Sequence, residues 1–207
     1  MKYSEEELRT LNETLKSKSP EEIAKWAVTI SDKAIVTTNF RPYEAAILYV
    51  AKHANTDIPV VWCDTGYNTL NTYKHAEEVI ELLDLNVDLY VPLQTAAHRD
   101  ALMGIPDIDD PRHQLFTEQV KLEPFRRAMN KHNPDVWLTN LRKGQTTHRD
   151  NLDILSLGAD GTLKVSPFFY WSDLELDQYL IENNLPNEKT YFDPTKVLEN
   201  RECGLHV

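Results

Sequence analysis

The feature that most constrains the fold is an alternation of short apolar runs, rich in β-branched residues, with longer segments of helical periodicity. This alternation is typical of α/β units packed around a largely parallel sheet. We therefore expect an α/β fold whose mostly parallel, five-stranded sheet is flanked by helices. The predicted strands are Ala34–Thr38, Ile58–Cys63, Val87–Val91, Val136–Thr139 and Leu163–Val165. The predicted helices around them are Pro42–His53, Leu70–Leu83, Thr117–Lys131 and Asp173–Asn183.

Three regions are expected along the chain. Residues 1–32 form an N-terminal helical preface, since 5–16 carries a leucine stripe and Pro20 opens a second helix. Residues 33–185 form the α/β domain. Residues 186–207 form a mobile C-terminal tail that is expected to pack only when its cysteine is engaged. Within the α/β domain, residues 94–116 contain several Pro, Gly and Asp residues and predict a mobile or ligand-covering loop with a short helix at most.

Composition narrows the class of protein. A formal net charge of −11 argues against a general nucleic-acid-binding surface, which needs clustered Lys and Arg, but a few local cations suffice for a nucleotide pocket. The chain contains no apolar run long enough for a membrane span, and its acidic start lacks a secretion signal. Its two cysteines, Cys63 and Cys203, match neither a disulfide framework nor a metal or iron–sulfur spacing. A cytoplasmic protein is expected.

Cys203 is the fifth residue from the C-terminal end of the sequence and lies between Arg201 and His206. Neighbouring cations lower the pKa of a thiol and so favour the nucleophilic thiolate. Gly204 lets the backbone bend beside the sulfur. These features favour a reactive cysteine over a core one. The alternative is a frayed tail that carries an accidental cysteine.

Two polar segments follow the first two predicted strands, where ligands of open α/β sheets bind. Thr37, Thr38 and Asn39 precede a helix, so their side chains and the backbone N–H groups at the helix start can form an anion cradle. The alternative is an ordinary helix cap. After the second strand, Asp64 can accept hydrogen bonds from an adenine amino group or a ribose hydroxyl, and Gly66 permits close approach of the backbone. The alternative there is a turn that merely ends the strand.

The third polar segment, residues 140–149, follows the predicted strand Val136–Thr139. Arg142 and Arg149 can clamp a phosphate or sulfate bidentately, and Thr146 and Thr147 add hydroxyl donors. A solvated run of charges would look similar. The position after a strand favours binding.

Together these segments resemble the phosphoadenylyl-sulfate (PAPS) reductases, which are thioredoxin-dependent sulfonucleotide reductases. The resemblance covers residues 34–185 and resumes at the C-terminus. It rests on Thr37-Thr38-Asn39-Phe40, Asp64-Thr65-Gly66-Tyr67, Leu141-Arg142-Lys143-Gly144-Gln145 and Glu202-Cys203-Gly204-Leu205-His206. The resemblance implies an adenine nucleotide α-hydrolase-like fold with the nucleotide across the strand ends. It also implies the cluster-free branch of the family, with PAPS as the substrate and no bound cofactor.

The resemblance further implies a mechanism and a set of site residues. Cys203 is the nucleophile that takes the sulfo group, and thioredoxin or glutaredoxin then releases sulfite. The residues implied or indicated to bind the substrate are Thr37, Thr38, Asn39, Phe40, Asp64, Gly66, Lys121, Arg142, Gln145, Arg149 and His206.

Two departures from the family pattern leave alternatives open. Arg41-Pro42 stands where the family usually has Gly after Phe, so Arg41 either supplements or obstructs phosphate binding. The segment before the terminal motif is short, which leaves room for a homodimer in which another subunit closes the site. An ATP-using relative, an adenylyltransferase or ATP pyrophosphatase, is disfavoured because residues 37–42 lack a Ser-Gly-Gly-x-Asp-Ser loop. A non-catalytic nucleotide-binding module would not explain Cys203.

Overall fold

The fold is built around one six-stranded sheet. A computed structural model describes residues 3–195. The strands, numbered along the chain, are β1 (Ala34–Thr38), β2 (Pro59–Cys63), β3 (Asn86–Tyr90), β4 (Val136–Leu138), β5 (Leu155–Leu157) and β6 (Leu163–Val165). Their order in the sheet is β3-β2-β1-β4-β6-β5, and every neighbouring pair is parallel except β5 with β6. The mostly parallel sheet flanked by helices is confirmed, and the count of five strands is corrected to six.

Strand β5 escaped the sequence prediction because it is short and lies at the edge. It has three residues, and their burial falls along the strand from buried Leu155 to exposed Leu157. Three such residues offer neither an alternating pattern nor a continuous apolar run.

The helices largely follow the predicted pattern. They are α1 (Glu5–Leu15), α2 (Pro20–Thr29), α3 (Glu44–Ala54), α4 (Leu70–Leu83), α5 (Ala96–Leu102), α6 (His113–Thr117), α7 (Glu123–His132) and α8 (Asp173–Glu182). Residues 94–116 differ from the prediction of one short helix at most, since they contain α5 and all but the last residue of α6. Helix α5 begins at a Thr95 cap whose hydroxyl accepts the His98 N–H, a signal that the surrounding Pro and Gly residues obscured.

A π-helical turn, Glu118–Leu122, interrupts the predicted helix Thr117–Lys131. Pro124, two residues beyond the end of this turn, has no N–H to continue the ladder of α-helical hydrogen bonds. The Glu123 N–H instead bonds the Glu118 carbonyl five residues back. The turn carries Lys121, which is buried.

The two N-terminal helices share one hydrophobic core with the sheet. Leu15 and Ile23 belong to the same buried cluster as Val36 and Leu138. In addition, Asn12 pairs with the backbone of Leu155 on β5 through two hydrogen bonds of 2.8 and 3.1 Å. Among residues 3–195, no helix combines the length and the apolar character that crossing a bilayer demands.

The strand order fixes where a ligand can bind. Strand β1 pairs with β2 on one side and with β4 on the other, so the chain connections diverge from β1 in opposite directions. In open α/β sheets such a switch point opens a crevice beyond the carboxyl ends of the diverging strands. The crevice here lies after Thr38 and after Leu138.

Candidate functional site

A small cleft of about 60 Å³ lies at this switch point. Strands β1, β2 and β4 supply its floor, the π-helical turn supplies one wall, and residues 191–193 border it. Its lining residues are Thr37, Thr38, Asn39, Arg41, Glu44, Val61, Cys63, Lys121, Phe125, Trp137, Thr139, Arg149, Tyr191 and Asp193. The three cationic residues of this lining, Arg41, Lys121 and Arg149, lie far apart in the sequence, so only the fold brings them together.

The turn after β1 differs from the predicted anion cradle. The Glu44 carboxylate accepts hydrogen bonds from the Thr38 hydroxyl at 2.8 Å and from the Asn39 N–H at 2.7 Å. The Phe40 N–H is used as well, since it bonds the Thr38 hydroxyl oxygen at 2.9 Å. These donors are therefore already engaged by the turn itself.

Arg41 does not obstruct this turn. Its guanidinium pairs with Glu44 at 2.7 Å and donates a 3.3 Å hydrogen bond to the carbonyl of Asn140 after β4. The side chain thus bridges the two strand ends that border the crevice. The positive φ angles that a glycine would favour fall on Phe40 (52°) and Tyr43 (69°), on either side of Arg41-Pro42.

The Phe40 side chain is buried and packs edge-on against Trp62, with ring centroids 4.8 Å apart. It does not line the cleft described above. Its contribution to the site is therefore to hold the turn against the core. The Thr37 hydroxyl, by contrast, lines the cleft and accepts a 2.9 Å hydrogen bond from the Trp137 indole.

Lys121 forms a buried ion pair within the cleft. Its ammonium lies 2.5 Å from an oxygen of Asp193, and the two side chains are only 3% and 7% exposed. Thr195 supports both partners, because its hydroxyl lies 3.3 Å from the Lys121 nitrogen and its N–H donates to Asp193 at 3.0 Å. Burial acts to raise the pKa of Asp193, but the Lys121 charge and these hydrogen bonds outweigh it and hold that pKa below its ordinary value.

Residues 191–195, the last that the structure describes, pack at the cleft, while the cysteine of the tail lies outside the described residues. Asp193 and Thr195 are both held against the π-helical turn. Farther back, the side chain of Asn187 accepts a 3.0 Å hydrogen bond from the N–H of Tyr43, beside the β1 turn. The segment is thus fixed at two points around the crevice.

The two arginines after β4 lie in different surroundings. Arg149 is buried, lines the cleft, and donates a short hydrogen bond to the side chain of Gln145. Gln145 also accepts the Arg142 N–H at 3.1 Å. The Arg142 guanidinium pairs with Asp173 at 2.5 Å and lies over the ring of Tyr43, away from the lining of the cleft.

The predicted adenosine contacts form a compact turn after β2. One oxygen of Asp64 accepts from the Gly66 N–H and from the Asn68 amide, each at 2.9 Å. The Tyr73 hydroxyl lies 3.0 and 3.1 Å from the two carboxylate oxygens. Burial, and then the Asp64 charge, raise the pKa of Tyr73 to about 12, so the phenol keeps its proton and donates it. Asp64 and Gly66 lie outside the lining of the described cleft.

Cys63 lies at the end of β2 and lines the cleft, yet it is a poor nucleophile. Burial raises the pKa of its thiol to about 12, only partly offset by the charges of Lys121 and Arg127. The thiol therefore stays protonated at neutral pH. The predicted nucleophile Cys203 and the predicted contact His206 lie outside the described residues.

Two cleft carboxylates, Glu44 and Asp193, were not identified from the sequence. In the sequence, Glu44 is an ordinary acidic residue of the first turn of a helix, where the positive end of the helix dipole stabilises a carboxylate. Asp193 and Lys121 are 72 positions apart in the sequence, and no local sequence pattern predicts such a pair. Within residues 3–195, no group of three or more His, Cys, Asp or Glu side chains could hold a metal ion.

Comparison with protein families gives one match over most of the chain. The "Phosphoadenosine phosphosulfate reductase domain" matches residues 33–194. A phosphoadenosine 5′-phosphosulfate reductase of Synechococcus sp. is 31% identical, with 86% of this chain and 78% of the relative covered. The enzyme of that name from Xylella fastidiosa is 30% identical, with 97% and 94% covered.

Two solved structures have folds similar to that of this chain. A PAPS reductase from Candida auris, in a phosphate complex, superposes with a TM-score of 0.79, 24% identity and 90% coverage of each chain. An FMN adenylyltransferase from Candida glabrata gives a TM-score of 0.57 at 11% identity and covers 81% of this chain and 56% of its own. At these identities the likeness concerns the fold alone.

Proposed function

The chain belongs to the phosphoadenosine phosphosulfate reductase family, and on that premise we propose that it reduces PAPS to sulfite and adenosine 3′,5′-bisphosphate in sulfate assimilation. The observation that carries the proposal is the switch-point cleft, whose lining combines the cations Lys121 and Arg149 with the hydroxyl group of Thr37. Ammonium, guanidinium and hydroxyl groups are suitable partners for phosphate and sulfate oxygens. Relatives about 30% identical along most of the chain carry the name of this enzyme.

The proposed substrate lies across the strand ends. Its phosphosulfate group faces Lys121 and Arg149, with Arg142, Gln145 and His206 near it, as the family resemblance implies. Its adenosine faces Asp64 and Gly66. Although Asp64 is engaged in its turn, a carboxylate has about four acceptor positions, and the oxygen that bonds only Tyr73 retains capacity for an amino or hydroxyl group. Thr37, Thr38, Asn39 and Phe40 form the turn beside the phosphates.

The proposed chemistry proceeds in two displacements. The Cys203 thiolate attacks the sulfur of the sulfo group, forming an S–S bond while the bond from that sulfur to the bridging oxygen breaks. Adenosine 3′,5′-bisphosphate leaves with the electron pair. The protein then carries an S-sulfocysteine at Cys203.

An external dithiol protein, thioredoxin or glutaredoxin, completes the reaction. One of its thiolates attacks the Cys203 sulfur and expels sulfite, which leaves a mixed disulfide between the two proteins. The second thiol of the reductant then displaces Cys203 as a thiolate. The dithiol loses two electrons and the sulfur of the substrate gains them, so no bound cofactor or iron–sulfur cluster is required. A cytoplasmic setting with reduced thiols is part of this proposal.

The position of residues 191–195 supports the role of Cys203. Thr195 lies at the cleft, and Cys203 follows it by eight positions in the sequence. Eight fully extended residues span at most about 29 Å. The stretch between Thr195 and Cys203 is therefore long enough for the cysteine to reach the proposed phosphosulfate position.

The decisive experiment isolates the first displacement. Reduced protein is incubated with PAPS in the absence of a reductant protein, and its intact mass is measured. We expect a sulfonate adduct in the wild type and in Cys63→Ser, and no adduct in Cys203→Ser. Loss of the adduct in Cys63→Ser but not in Cys203→Ser would overturn the assignment of the nucleophile.

Two other outcomes distinguish the alternatives. Nucleotide binding without any adduct would favour a non-catalytic binding module. Cleavage of ATP to pyrophosphate with Mg²⁺ would favour the ATP-using relative, whose fold this chain shares with the FMN adenylyltransferases. The engaged donors of the β1 turn argue against that alternative, because Glu44 occupies the Asn39 N–H at the position where a loop that binds triphosphate needs free N–H groups.

A further inference from the structure

The ion pair between Lys121 and Asp193 places an internal anion in the cleft that the proposed function gives to the phosphosulfate. Asp193 presents one oxygen to the ammonium at 2.5 Å and the other to the Thr195 N–H. Both charged side chains are almost wholly buried. A carboxylate in this position occupies the electrostatic role of a bound phosphate or sulfate oxygen.

The second carboxylate of the cleft, Glu44, differs from Asp193 in how much structure its displacement would disrupt. It belongs to helix α3 and receives hydrogen bonds from Thr38, Asn39 and Arg41, so its displacement would disrupt the turn that ends β1. Asp193 lies in residues 186–195, which form neither helix nor strand in the structure. Its withdrawal breaks no helical or sheet hydrogen bond.

A nucleotide anion and the Asp193 carboxylate compete for the same ammonium. Two like charges within a few ångströms in a buried site raise each other's free energy, so one of them must leave or take up a proton. The buried position of Lys121 leaves little room for both. The group on the irregular segment is the one that can leave at the smaller structural cost.

We propose that Asp193 is the substrate-free occupant of the anion site at Lys121, and that the nucleotide displaces it. The inference rests on the proposed function. Asp193 then sets the affinity for the nucleotide, because the apparent affinity of a site falls by the fraction of molecules in which an internal group fills it. Displacement also frees Asp193 and Thr195 from their contacts with the π-helical turn.

Calorimetric titration with adenosine 3′,5′-bisphosphate tests the competition without requiring turnover. Asp193→Asn keeps the shape of the side chain and removes its charge, and we expect it to bind the nucleotide at least about fivefold more tightly than the wild type. Asp57→Asn is the matched control, since it removes the same charge from an exposed residue and should leave the affinity unchanged. In a Lys121→Ala background, the effect of Asp193→Asn should disappear.

Unchanged or weaker binding by folded Asp193→Asn, with binding retained by the wild type, would overturn this inference and leave the proposed function standing. Failure of all variants to bind the nucleotide would overturn both. A second measurement needs no variant, in case Asp193→Asn fails to fold. Hydrogen exchange of the Thr195 amide in the wild type should become faster when the nucleotide binds, whereas protection of that amide would contradict the release of Thr195 from its contacts.

Discussion

At the scale of single residues, the chemical role of a side chain at the cleft depends on its neighbours and on its burial. Arg142 and Arg149 follow the same strand, but Arg142 pairs with Asp173 while Arg149 lines the cleft. Cys63 lines the cleft too, yet burial removes its reactivity. Residue type and position after a strand were visible in the sequence, whereas these partners were not.

The two arginines should therefore contribute unequally to nucleotide binding. A hydrogen bond to a charged group is worth about 1.5–3 kcal/mol, so Arg149→Ala should weaken the binding of adenosine 3′,5′-bisphosphate roughly tenfold or more. Arg142→Ala should weaken it less, because Asp173 already engages that guanidinium. Arg9→Ala, on the preface, should have no effect. Titration calorimetry of the three variants checks the order, and a larger loss in Arg142→Ala than in Arg149→Ala would refute it.

Cys63 should resist alkylation in the folded protein. Because its thiol has a pKa of about 12, almost none of it is thiolate at pH 8. Peptide mapping after treatment with iodoacetamide should find Cys63 unmodified in native protein and modified after denaturation in guanidinium. Modification of native Cys63 at the rate seen in the denatured chain would show that the site is open to solvent.

At the scale of elements, the sequence predicted best where the apolar pattern is regular and spans the whole element. Strand β1 was placed at Ala34–Thr38 and helix α4 at Leu70–Leu83, as found, since both carry long apolar patterns. Strand β5 and the π-helical turn were missed, because a three-residue edge strand and a local change of helical pitch depend on tertiary contacts. The cleft follows from strand order, which the sequence suggested only through the alternation of elements.

Helix α1 should contribute to the stability of the fold through the hydrogen bonds between Asn12 and strand β5. The Asn12 amide satisfies both backbone groups of Leu155 in a buried position, and leaving such groups unpaired costs about 1–3 kcal/mol each. Asn12→Ala should therefore lower the free energy of unfolding by about 2 kcal/mol or more while nucleotide affinity stays the same. Urea denaturation measures the first quantity and calorimetry the second.

The exposed neighbour Glu13 provides the comparison for that experiment. Glu13→Ala removes only a surface ion pair with Lys16, so its unfolding free energy should stay within about 1 kcal/mol of the wild type. Equal stability of the Asn12 and Glu13 variants would indicate that water readily replaces the Asn12 hydrogen bonds.

At the scale of the whole molecule, stability should depend on pH through buried groups with shifted pKa values. Burial, partly opposed by nearby glutamates, lowers the pKa of His75 in the folded state. The unfolded chain then takes up the proton first as the pH falls. The contribution of neutral His75 to the free energy of unfolding is therefore complete above the pKa of the unfolded state, about 6.5. It is lost as the pH falls toward the pKa of the folded state.

Denaturant unfolding at several values between pH 7.5 and pH 5 checks this direction. The free energy of unfolding should decline on acidification, and His75→Gln should reduce the slope. His98→Gln, at an exposed position, should keep the slope of the wild type. A slope that is identical in all three proteins would show that other groups control the pH dependence.

The pairing of Arg41 with Glu44 also has an evolutionary consequence. A chain with this fold could acquire a triphosphate site only by freeing the N–H groups of the β1 turn, which requires loss of the Glu44 carboxylate. That single change would leave the partly buried Arg41 without the carboxylate partner it now has, and loss of Arg41 alone would leave Glu44 buried without its guanidinium. Each single substitution therefore carries a cost that a simultaneous change at both positions avoids in part.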